Sequence, residues 1–341
     1  MKAVYLPGDK QVLVTEAEKP SAGVGDVLVK VKASAICRSD LSLYYGDAVV
    51  EGDKAGKVIT GHEAAGVVME VGVGVMAVKP GDRVAIYLAV GCGRCEHCRE
   101  GNFHLCPDWG CLGFTVHGGN AEYLVVPERN CLLIPEGMGF IEAAVSTDAF
   151  GTLYSATKKL GISGVSTVGI WGLGPMGASG VLACKTHGAR VVAVDPLASR
   201  RELASELGAD HVLDPSDGKL LSRIMELTDQ RGVDAAIDCS GNPDAQNAAL
   251  DATKRLGTVA FIGESRETTI RPSDQLIRKQ LTVIGSWYFN IAEYDEIARA
   301  IVAKKVPLEK LVTHTFSLDE AAIAFQMFDE RKTEKAVFVM D

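Results

Sequence analysis

The sequence lacks any apolar run long enough to cross a membrane. A spanning helix needs roughly 18 consecutive apolar residues, and no stretch of these 341 residues approaches that length. The opening residues, MKAVYLPGDKQVLV, also lack the apolar core and small-residue cleavage site of a secretory signal. We therefore expect a soluble, cytoplasmic protein.

Long runs of lysine and arginine are equally absent. Acidic residues outnumber basic ones, 44 against 35, which gives a formal net charge of -9. Such a surface repels the phosphates of nucleic acids and anionic membranes, so we expect neither as a partner. Disulfide bonds are not expected either, because nine cysteines without a secretion signal are more typical of metal ligands or buried thiols.

What the sequence does contain is two regions of different rhythm. Up to residue 149, short β-type runs such as 26–35, 64–71 and 121–126 alternate with Gly and Pro turns, which indicates a compact β-rich domain. From residue 150, strands alternate with helical segments, the pattern of a doubly wound parallel sheet. The fold class predicted is α/β. The strands predicted in this second region are 167–171, 190–195, 211–213, 234–238, 258–262 and 281–286, with helices at 199–207, 219–228 and 244–254.

A glycine-rich turn, GLGPMG, follows the first strand of this second region. Gly172 permits a tight turn, Gly174 lets the backbone approach a pyrophosphate, and Gly177 allows a helix to pack closely on the strand. The phosphates would bind at the N-terminus of that helix, where free N–H groups favour an anion. The predicted phosphate-binding residues are Gly172, Gly174, Pro175, Met176 and Gly177.

An acidic residue, Asp195, ends the next strand, about 20 residues after the glycines. A carboxylate at this place binds both ribose hydroxyls of NAD and repels the 2′-phosphate of NADP. The sequence therefore predicts NAD as the cofactor. Arg200 and Arg201 follow closely, and their positive charges temper this preference.

Four cysteines lie close together with the spacing C-x2-C-x2-C-x7-C. Thiolates brought together in a short loop form a closed tetrahedral site, and zinc is the usual metal for it. An iron–sulfur cluster is the alternative, but the last gap fits the bacterial ferredoxin pattern poorly. A closed site predicts a structural role, and its ligands would be Cys92, Cys95, Cys98 and Cys106.

Three scattered residues offer a second, open metal site. Cys37 in CRSD, His62 in GHEAAG and Asp148 in STDAFGT provide one thiolate, one imidazole and one carboxylate. Three protein ligands with the fourth position open are typical of catalytic zinc. Each residue alone would more often be part of a core, so the prediction depends on their combination.

With these motifs in this order, the sequence resembles the zinc-containing medium-chain dehydrogenase/reductase family. The stretch GHEAAGVVMEVGVGV, residues 61–75, is similar to the zinc signature of that family. The resemblance covers essentially the whole chain and implies homodimers or homotetramers. It also implies a GroES-like catalytic domain (1–149 and 291–341) with a structural zinc lobe (91–107), and a Rossmann NAD-binding domain (150–290).

By this resemblance, Cys37 and His62 are ligands of the catalytic zinc, and Glu63 is a neighbouring carboxylate that can approach the metal. Asp148 matches the third ligand, at a position where many relatives carry Cys and polyol-active relatives often carry Glu. Thr152 matches a residue packed by the nicotinamide.

Further roles implied by the resemblance concern the proton and the pyrophosphate. Ser39 matches the hydroxyl that relays the substrate proton, and LSLYYG, residues 41–46, offers no histidine to continue the relay. Arg38 and Lys335 match basic residues that reach the cofactor pyrophosphate.

The expected function is therefore a zinc-dependent alcohol dehydrogenase with two zinc ions per chain and NAD. Zinc acts as a Lewis acid on the alcohol, Ser39 carries the proton away, and hydride passes to NAD. Asp148 resembles the ligand of some bacterial secondary-alcohol dehydrogenases, and this resemblance implies secondary alcohols, polyols or cyclic alcohols as substrates. The alternatives are a zinc-independent reductase of the same superfamily, a non-catalytic NAD- and zinc-binding protein, and a zinc-ribbon nucleic-acid binder.

Overall fold

The computed structural model describes residues 1–47, 52 and 54–341. The chain divides into two compact units, one made of Met1–Asp148 with Asn290–Asp341 and the other of Ala149–Phe289. Among the described residues, no helix is both long enough and apolar enough to cross a membrane.

Strands and helices are numbered here along the chain. The strands are β1 (Lys2–Gly8), β2 (Gln11–Glu16), β3 (Asp26–Ala35), β4 (Glu63–Val71), β5 (Arg83–Ile86), β6 (Ala89–Val90), β7 (Gly110–Cys111), β8 (Tyr123–Pro127), β9 (Cys131–Leu133), β10 (Thr167–Trp171), β11 (Arg190–Val194), β12 (His211–Leu213), β13 (Val233–Asp238), β14 (Thr253–Phe261), β15 (Thr282–Gly285), β16 (Val312–Phe316) and β17 (Lys335–Val339). The α-helices are α1 (Asp40–Tyr45), α2 (Glu96–Arg99), α3 (Phe140–Val145), α4 (Gly151–Lys159), α5 (Pro175–Thr186), α6 (Ala198–Glu206), α7 (Leu220–Leu227), α8 (Pro243–Ala252), α9 (Tyr294–Lys304) and α10 (Ala321–Asp329).

The chain also contains short helical turns. The 3-10 turns are Phe103–Leu105, Glu128–Asn130, Pro215–Asp217, Ile291–Glu293, Leu308–Leu311 and Leu318–Glu320, and the π-helical turns are Ser146–Phe150 and Pro272–Ile277.

The first unit is built around strand β3. This strand pairs antiparallel with β4, β8 and β17, and the sheet continues through β5 to β9 on one side and through β17 to β16 on the other. Val27, Val29 and Val31 recur at every second position of β3, so they point to one face of the sheet. They are fully buried there in an aliphatic core. Three of the candidate metal ligands described below, Cys37, His62 and Glu63, lie at the end of β3 and the beginning of β4.

The second unit is a parallel six-stranded sheet. Its strand order is β12-β11-β10-β13-β14-β15, in which the order reverses next to β10. This arrangement is the Rossmann order, and the predicted α/β class with a β-rich unit and a doubly wound parallel sheet is confirmed. The predicted end of the helix at 254 and the predicted beginning of the next strand at 258 are wrong. Helix α8 ends at Ala252 and β14 begins at Thr253, because Thr253 already pairs with Val233 before the register shifts.

Candidate metal and cofactor sites

Four potential metal ligands converge in the first unit. Cys37 lies two residues after β3, Glu63 begins β4, and Asp148 lies on the π-helical turn Ser146–Phe150. Together with His62, these residues place one ligand atom each within 4.8 Å of all the others. Cys37 Sγ lies 3.4 Å from Asp148 Oδ2, and His62 Nε2 lies 3.7 Å from the same oxygen. Cys37, the pair His62–Glu63 and Asp148 are far apart in the sequence, and the fold of the first unit brings them together.

The electrostatics of the cluster favour an added cation. Burial raises the pKa of the Cys37 thiol, and the Asp148 charge raises it further. For Asp148 itself burial acts in the raising direction, but the hydrogen bond and charge of His62 leave its pKa lowered. Burial pushes the pKa of Glu63 upward as well, and the charge of Lys335 opposes this shift. A divalent ion among these groups would stabilise the thiolate and the carboxylates together.

Asp40 is a residue of this site that the sequence analysis missed. Its Oδ1 lies 3.2 Å from His62 Nδ1, and its Oδ2 accepts the backbone N–H of Cys37 at 2.9 Å. Burial tends to lower the pKa of His62, but Asp40 and the hydrogen bonds of the cluster leave it well raised. A carboxylate that holds the distal nitrogen of a histidine ligand is a common feature of metal sites. The signal was the CRSD motif itself, whose fourth residue is acidic.

Ser39 lies beside the imidazole nitrogen that faces the cluster. Its Oγ is 3.4 Å from His62 Nε2. The side chain is partly exposed, whereas His62 and Asp148 are buried. The hydroxyl is therefore placed at the accessible side of the cluster.

Lys335 requires a correction. The family resemblance predicts that it contacts the cofactor pyrophosphate, but its side chain is fully buried in the first unit. Its Nζ donates to Glu63 Oε1 and to the carbonyl oxygen of Ile36. The ammonium group of Lys335 therefore forms a buried ion pair with Glu63, beside the segment that leads to Cys37.

The residues of this cluster fit a zinc ion. One sulfur, one imidazole and carboxylate oxygens are the ligand types that zinc prefers. Glu63 Oε2 is buried and accepts no hydrogen bond among the described residues, so one oxygen in the cluster remains available. The donor set, its compactness and this unsatisfied oxygen together support a metal here.

A second group of ligands consists of four cysteines in the loop around α2. Their sulfur atoms all lie within 4.8 Å of one another, with Cys92 Sγ 4.0 Å from Cys98 Sγ. Tetrahedral zinc with bonds of about 2.3 Å separates its sulfur ligands by about 3.8 Å. The backbone N–H groups of Cys92 and Cys98 donate to the sulfurs of Cys106 and Cys95. This geometry fits a closed zinc site.

Thiol acidity in the loop is uneven. The N–H groups of Arg94 and Cys95 lower the pKa of Cys92 to about 6, whereas burial raises the pKa of Cys98 to about 12. All nine cysteines of the chain are free of disulfides. The loop therefore offers four thiols in one place, with no covalent link to constrain them.

The glycine-rich turn has the shape expected of a phosphate-binding turn. Gly172 has φ of +84°, and a Cβ there would lie 2.7 Å from the Cβ of Ser240. A Cβ on Gly177 would lie 1.8 Å from Gly172 O, so only glycine lets α5 pack this closely on the turn. At Gly174 the nearest atoms are those of the Arg200 guanidinium, 3.5 Å away. Pro175 is the first residue of α5 and Met176 follows it.

Asp195 lies at the end of β11, where its carboxylate binds the backbone around the turn. It accepts N–H groups of Leu173 at 2.7 Å and of Leu197 at 2.8 Å. Arg200 Nη1 lies 3.8 Å from Asp195 Oδ2, and Arg201 donates to the backbone oxygen of Asp195. One acidic and one basic side chain thus flank the place where an adenine ribose would bind.

The two other predicted residues lie in different units. Arg38 is exposed in the first unit, next to Cys37. Thr152 is buried in α4 of the second unit, four residues after Asp148 along the chain.

Family models of known proteins match parts of both units. Residues 23–136 match the alcohol dehydrogenase GroES-like domain, and residues 175–303 match the zinc-binding dehydrogenase domain. The zinc-type alcohol dehydrogenase-like protein YphC of Escherichia coli K12 is 34% identical, over 99% of this chain and 98% of that protein. L-threonine 3-dehydrogenase of Pyrococcus horikoshii is also 34% identical, over 98% of this chain and 96% of that protein.

Solved structures extend the agreement to the whole fold. Alcohol dehydrogenase TADH from Thermus sp. ATN1 superposes with a TM-score of 0.93 at 27% identity and covers 100% of both chains. A structure described as a short chain alcohol dehydrogenase, rspB, from E. coli CFT073 is complexed with NADH, at a TM-score of 0.90, 28% identity and coverage of 100% and 99%. Another, from Sinorhizobium meliloti 1021, is bound to NADP, at a TM-score of 0.90, 28% identity and 99% coverage of both chains.

Proposed function

The chain belongs to the zinc-dependent medium-chain dehydrogenase/reductase family, and we propose that it transfers hydride between an alcohol and NAD at a zinc ion held by Cys37, His62 and Asp148. The observation that carries this proposal is the convergence of those three side chains with Glu63, all ligand atoms within 4.8 Å.

The chain's own residues would divide the chemical work. Zinc bound in the cluster would supply a Lewis acid that lowers the pKa of the substrate hydroxyl. Ser39, 3.4 Å from His62 Nε2 at the accessible side of the cluster, would take the substrate proton while it releases its own hydroxyl proton to solvent. Asp40 would keep the imidazole of His62 oriented from its other nitrogen, 3.2 Å away. Glu63 with Lys335 would balance the charge beside the ligands.

Secondary alcohols, polyols or cyclic alcohols are the substrates that we propose. The carboxylate ligand Asp148 in place of a thiolate supports this class by family resemblance. The relative L-threonine 3-dehydrogenase supports it as well, because the 3-hydroxyl of threonine is a secondary alcohol.

For the cofactor, we propose NAD bound on the glycine turn, with Asp195 at the adenine ribose. Gly174 leaves the backbone open to a pyrophosphate, and the N-terminus of α5 offers free N–H groups. The buried carboxylate of Asp195 would repel a 2′-phosphate, although Arg200 lies 3.8 Å from it. Arg38 would contact the pyrophosphate, and Thr152 would pack against the nicotinamide.

A second zinc ion is proposed for Cys92, Cys95, Cys98 and Cys106, with a structural role. The four sulfurs form a closed set, so a metal there has no open position for a substrate. The proposed content is two zinc ions per chain.

We also propose that the protein is a homo-oligomer that uses strand β15. This strand ends the six-stranded sheet and pairs on one side with β14. Apolar side chains near this edge are exposed, including Leu256, Ile277 and Val283. An edge strand beside exposed apolar side chains is suited to pairing with a second copy.

The experiment that tests the function combines metal analysis with catalysis. Purified protein is analysed for zinc, and NADH formation is followed across primary, secondary and polyhydric alcohols. We expect about two zinc ions per chain and turnover concentrated in the secondary or polyhydric class. In Cys37→Ala we expect turnover to be lost while NAD binding remains. Full activity of a verified metal-free Cys37→Ala protein would refute the catalytic zinc, and absence of all turnover would favour a binding protein.

A further inference from the structure

A buried asparagine joins the two chain segments that carry Cys37 and His62. Ser34 Oγ donates to Asn120 Oδ1 at 2.7 Å, and Asn120 Nδ2 donates to Thr60 Oγ1 at 3.0 Å. The three polar side chains are at most 1% exposed. The carboxamide of Asn120 therefore forms a strut from Ser34 in β3 to Thr60 in the segment before β4. Because all three side chains are buried, no solvent is available to replace these hydrogen bonds.

Both ends of the strut are close to a proposed ligand. Ser34 lies near the end of β3, three residues before Cys37, and Thr60 lies two residues before His62. The backbone N–H of Asn120 also donates to Thr60 O at 2.8 Å. A change in the carboxamide thus acts on the separation of the two ligands through only a few bonds.

The carboxamide also packs directly against the residue before His62. Gly61 has φ of +90°, and a Cβ there would lie 2.3 Å from Asn120 Oδ1. Gly119 N–H donates to Gly61 O at 2.8 Å, and a Cβ on Gly118 would lie 2.1 Å from that same oxygen. The segment before His62 is held at backbone contact, so it has no room to move toward Asn120.

We propose that Asn120 is a positioning residue for the catalytic metal, and that its bridge from Ser34 to Thr60 sets the spacing of Cys37 and His62. The inference rests on the proposed function, which makes Cys37 and His62 the ligands. Metal–ligand distances tolerate deviations of only about 0.2 Å. A loss of either hydrogen bond leaves a buried polar group without its partner. The segments that carry Cys37 and His62 would then relax, which weakens metal binding before the protein unfolds.

The chain offers a matched control in Asn130. This residue is also fully buried in the first unit, and its Nδ2 donates to Tyr87 O at 2.8 Å and Ala89 O at 2.9 Å. It has two side-chain hydrogen bonds like Asn120, but its bonds reach β5–β6 backbone and not the segments before Cys37 and His62. If general loss of stability caused metal release, substitution of either asparagine would cause it. If Asn120 positions the metal, only substitution of Asn120 should cause it.

The test measures how fast the metal is lost to a chelator in excess. The metal held at the catalytic site is defined as the metal that the wild type binds and Cys37→Ser does not. We expect Asn120→Ala, Ser34→Ala and Thr60→Val each to release that metal about tenfold faster than the wild type. The double variant of Ser34 and Thr60 should release it no faster than either single variant, because each single change already breaks the same bridge. If Asn120→Ala does not fold, the two milder variants decide the question.

Asn130→Ala should release the Cys37-dependent metal at the wild-type rate, even if its unfolding temperature falls. If Asn120→Ala, Ser34→Ala and Thr60→Val all released the metal at the wild-type rate, the inference would be overturned and the proposed function would stand. Equal acceleration in Asn130→Ala would overturn it too, since general destabilisation would then explain the loss. A wild-type protein without any Cys37-dependent metal would overturn the proposed function itself, and this inference with it.

Discussion

Asp40 Oδ1 lies 3.2 Å from Nδ1 of His62, on the ring nitrogen that does not face Asp148. The same carboxylate accepts the backbone N–H of Cys37, so one side chain orients two of the proposed ligands. With a metal bound, this carboxylate would favour the proton on Nδ1 and leave Nε2 for the metal.

We expect Asp40→Asn to lower the affinity for the catalytic metal by about 10–100-fold, because the amide keeps the shape of the side chain but loses the charge that supports His62. Chelator competition measures the affinity of the Cys37-dependent metal. Asp82→Asn is the matched control, since Asp82 Oδ2 likewise accepts a backbone N–H three residues earlier, from Lys79. Unchanged affinity in Asp40→Asn would show that the His62 contact does not tune the metal.

The buried pair of Glu63 and Lys335 should matter for stability. Lys335→Met leaves the Glu63 carboxylate buried without its counter-ion, which typically costs about 3–5 kcal/mol of unfolding free energy. Denaturant unfolding measures this loss, and the added change Glu63→Gln should restore much of it. Lys254→Met, which breaks the partly exposed pair with Asp234, should cost at most about 1 kcal/mol. A weaker affinity for NAD with unchanged stability would instead return Lys335 to the pyrophosphate.

Asp195 should set the choice of cofactor. Asp195→Gly removes the charge that repels a 2′-phosphate while Arg200 remains, so the NADP-to-NAD ratio of kcat/KM should rise by at least about tenfold, or about 1.4 kcal/mol. Steady-state kinetics with both cofactors measure the ratio. Asp217→Asn serves as the control, because Asp217 pairs with Arg223, which has no part in the proposed cofactor site. A constant ratio in Asp195→Gly would mean that the ribose is recognised elsewhere.

The four-cysteine loop should hold its own metal. Cys98→Ser replaces a buried thiol ligand, so zinc analysis should show about one ion fewer per chain and thermal unfolding should begin at a lower temperature. Cys131→Ser changes a cysteine outside both ligand clusters and should keep the full zinc content. Equal zinc in both variants would contradict the closed site.

Local patterns were sufficient for much of this protein. The four-cysteine spacing and the glycine turn involve neighbours in sequence, so they predict which residues meet without knowledge of the fold. Alternation of strands and helices predicted the parallel sheet, because apolar periodicity reports secondary structure directly. The strand at 167–171 was predicted with the bounds of β10, whereas the beginning of β14 was missed because its pairing with Val233 is a tertiary contact.

Contacts between distant segments were decided by the tertiary structure alone. Lys335 and Glu63 are 272 residues apart and meet because β17 and β4 both pair with β3. Asn120 meets Ser34 across 86 residues for a similar reason, since its segment leads into β8, another partner of β3. The sequence by itself determined the residue types and local turns of both sites. Strand register then determined which buried polar groups face each other, because each must find a partner when water is excluded.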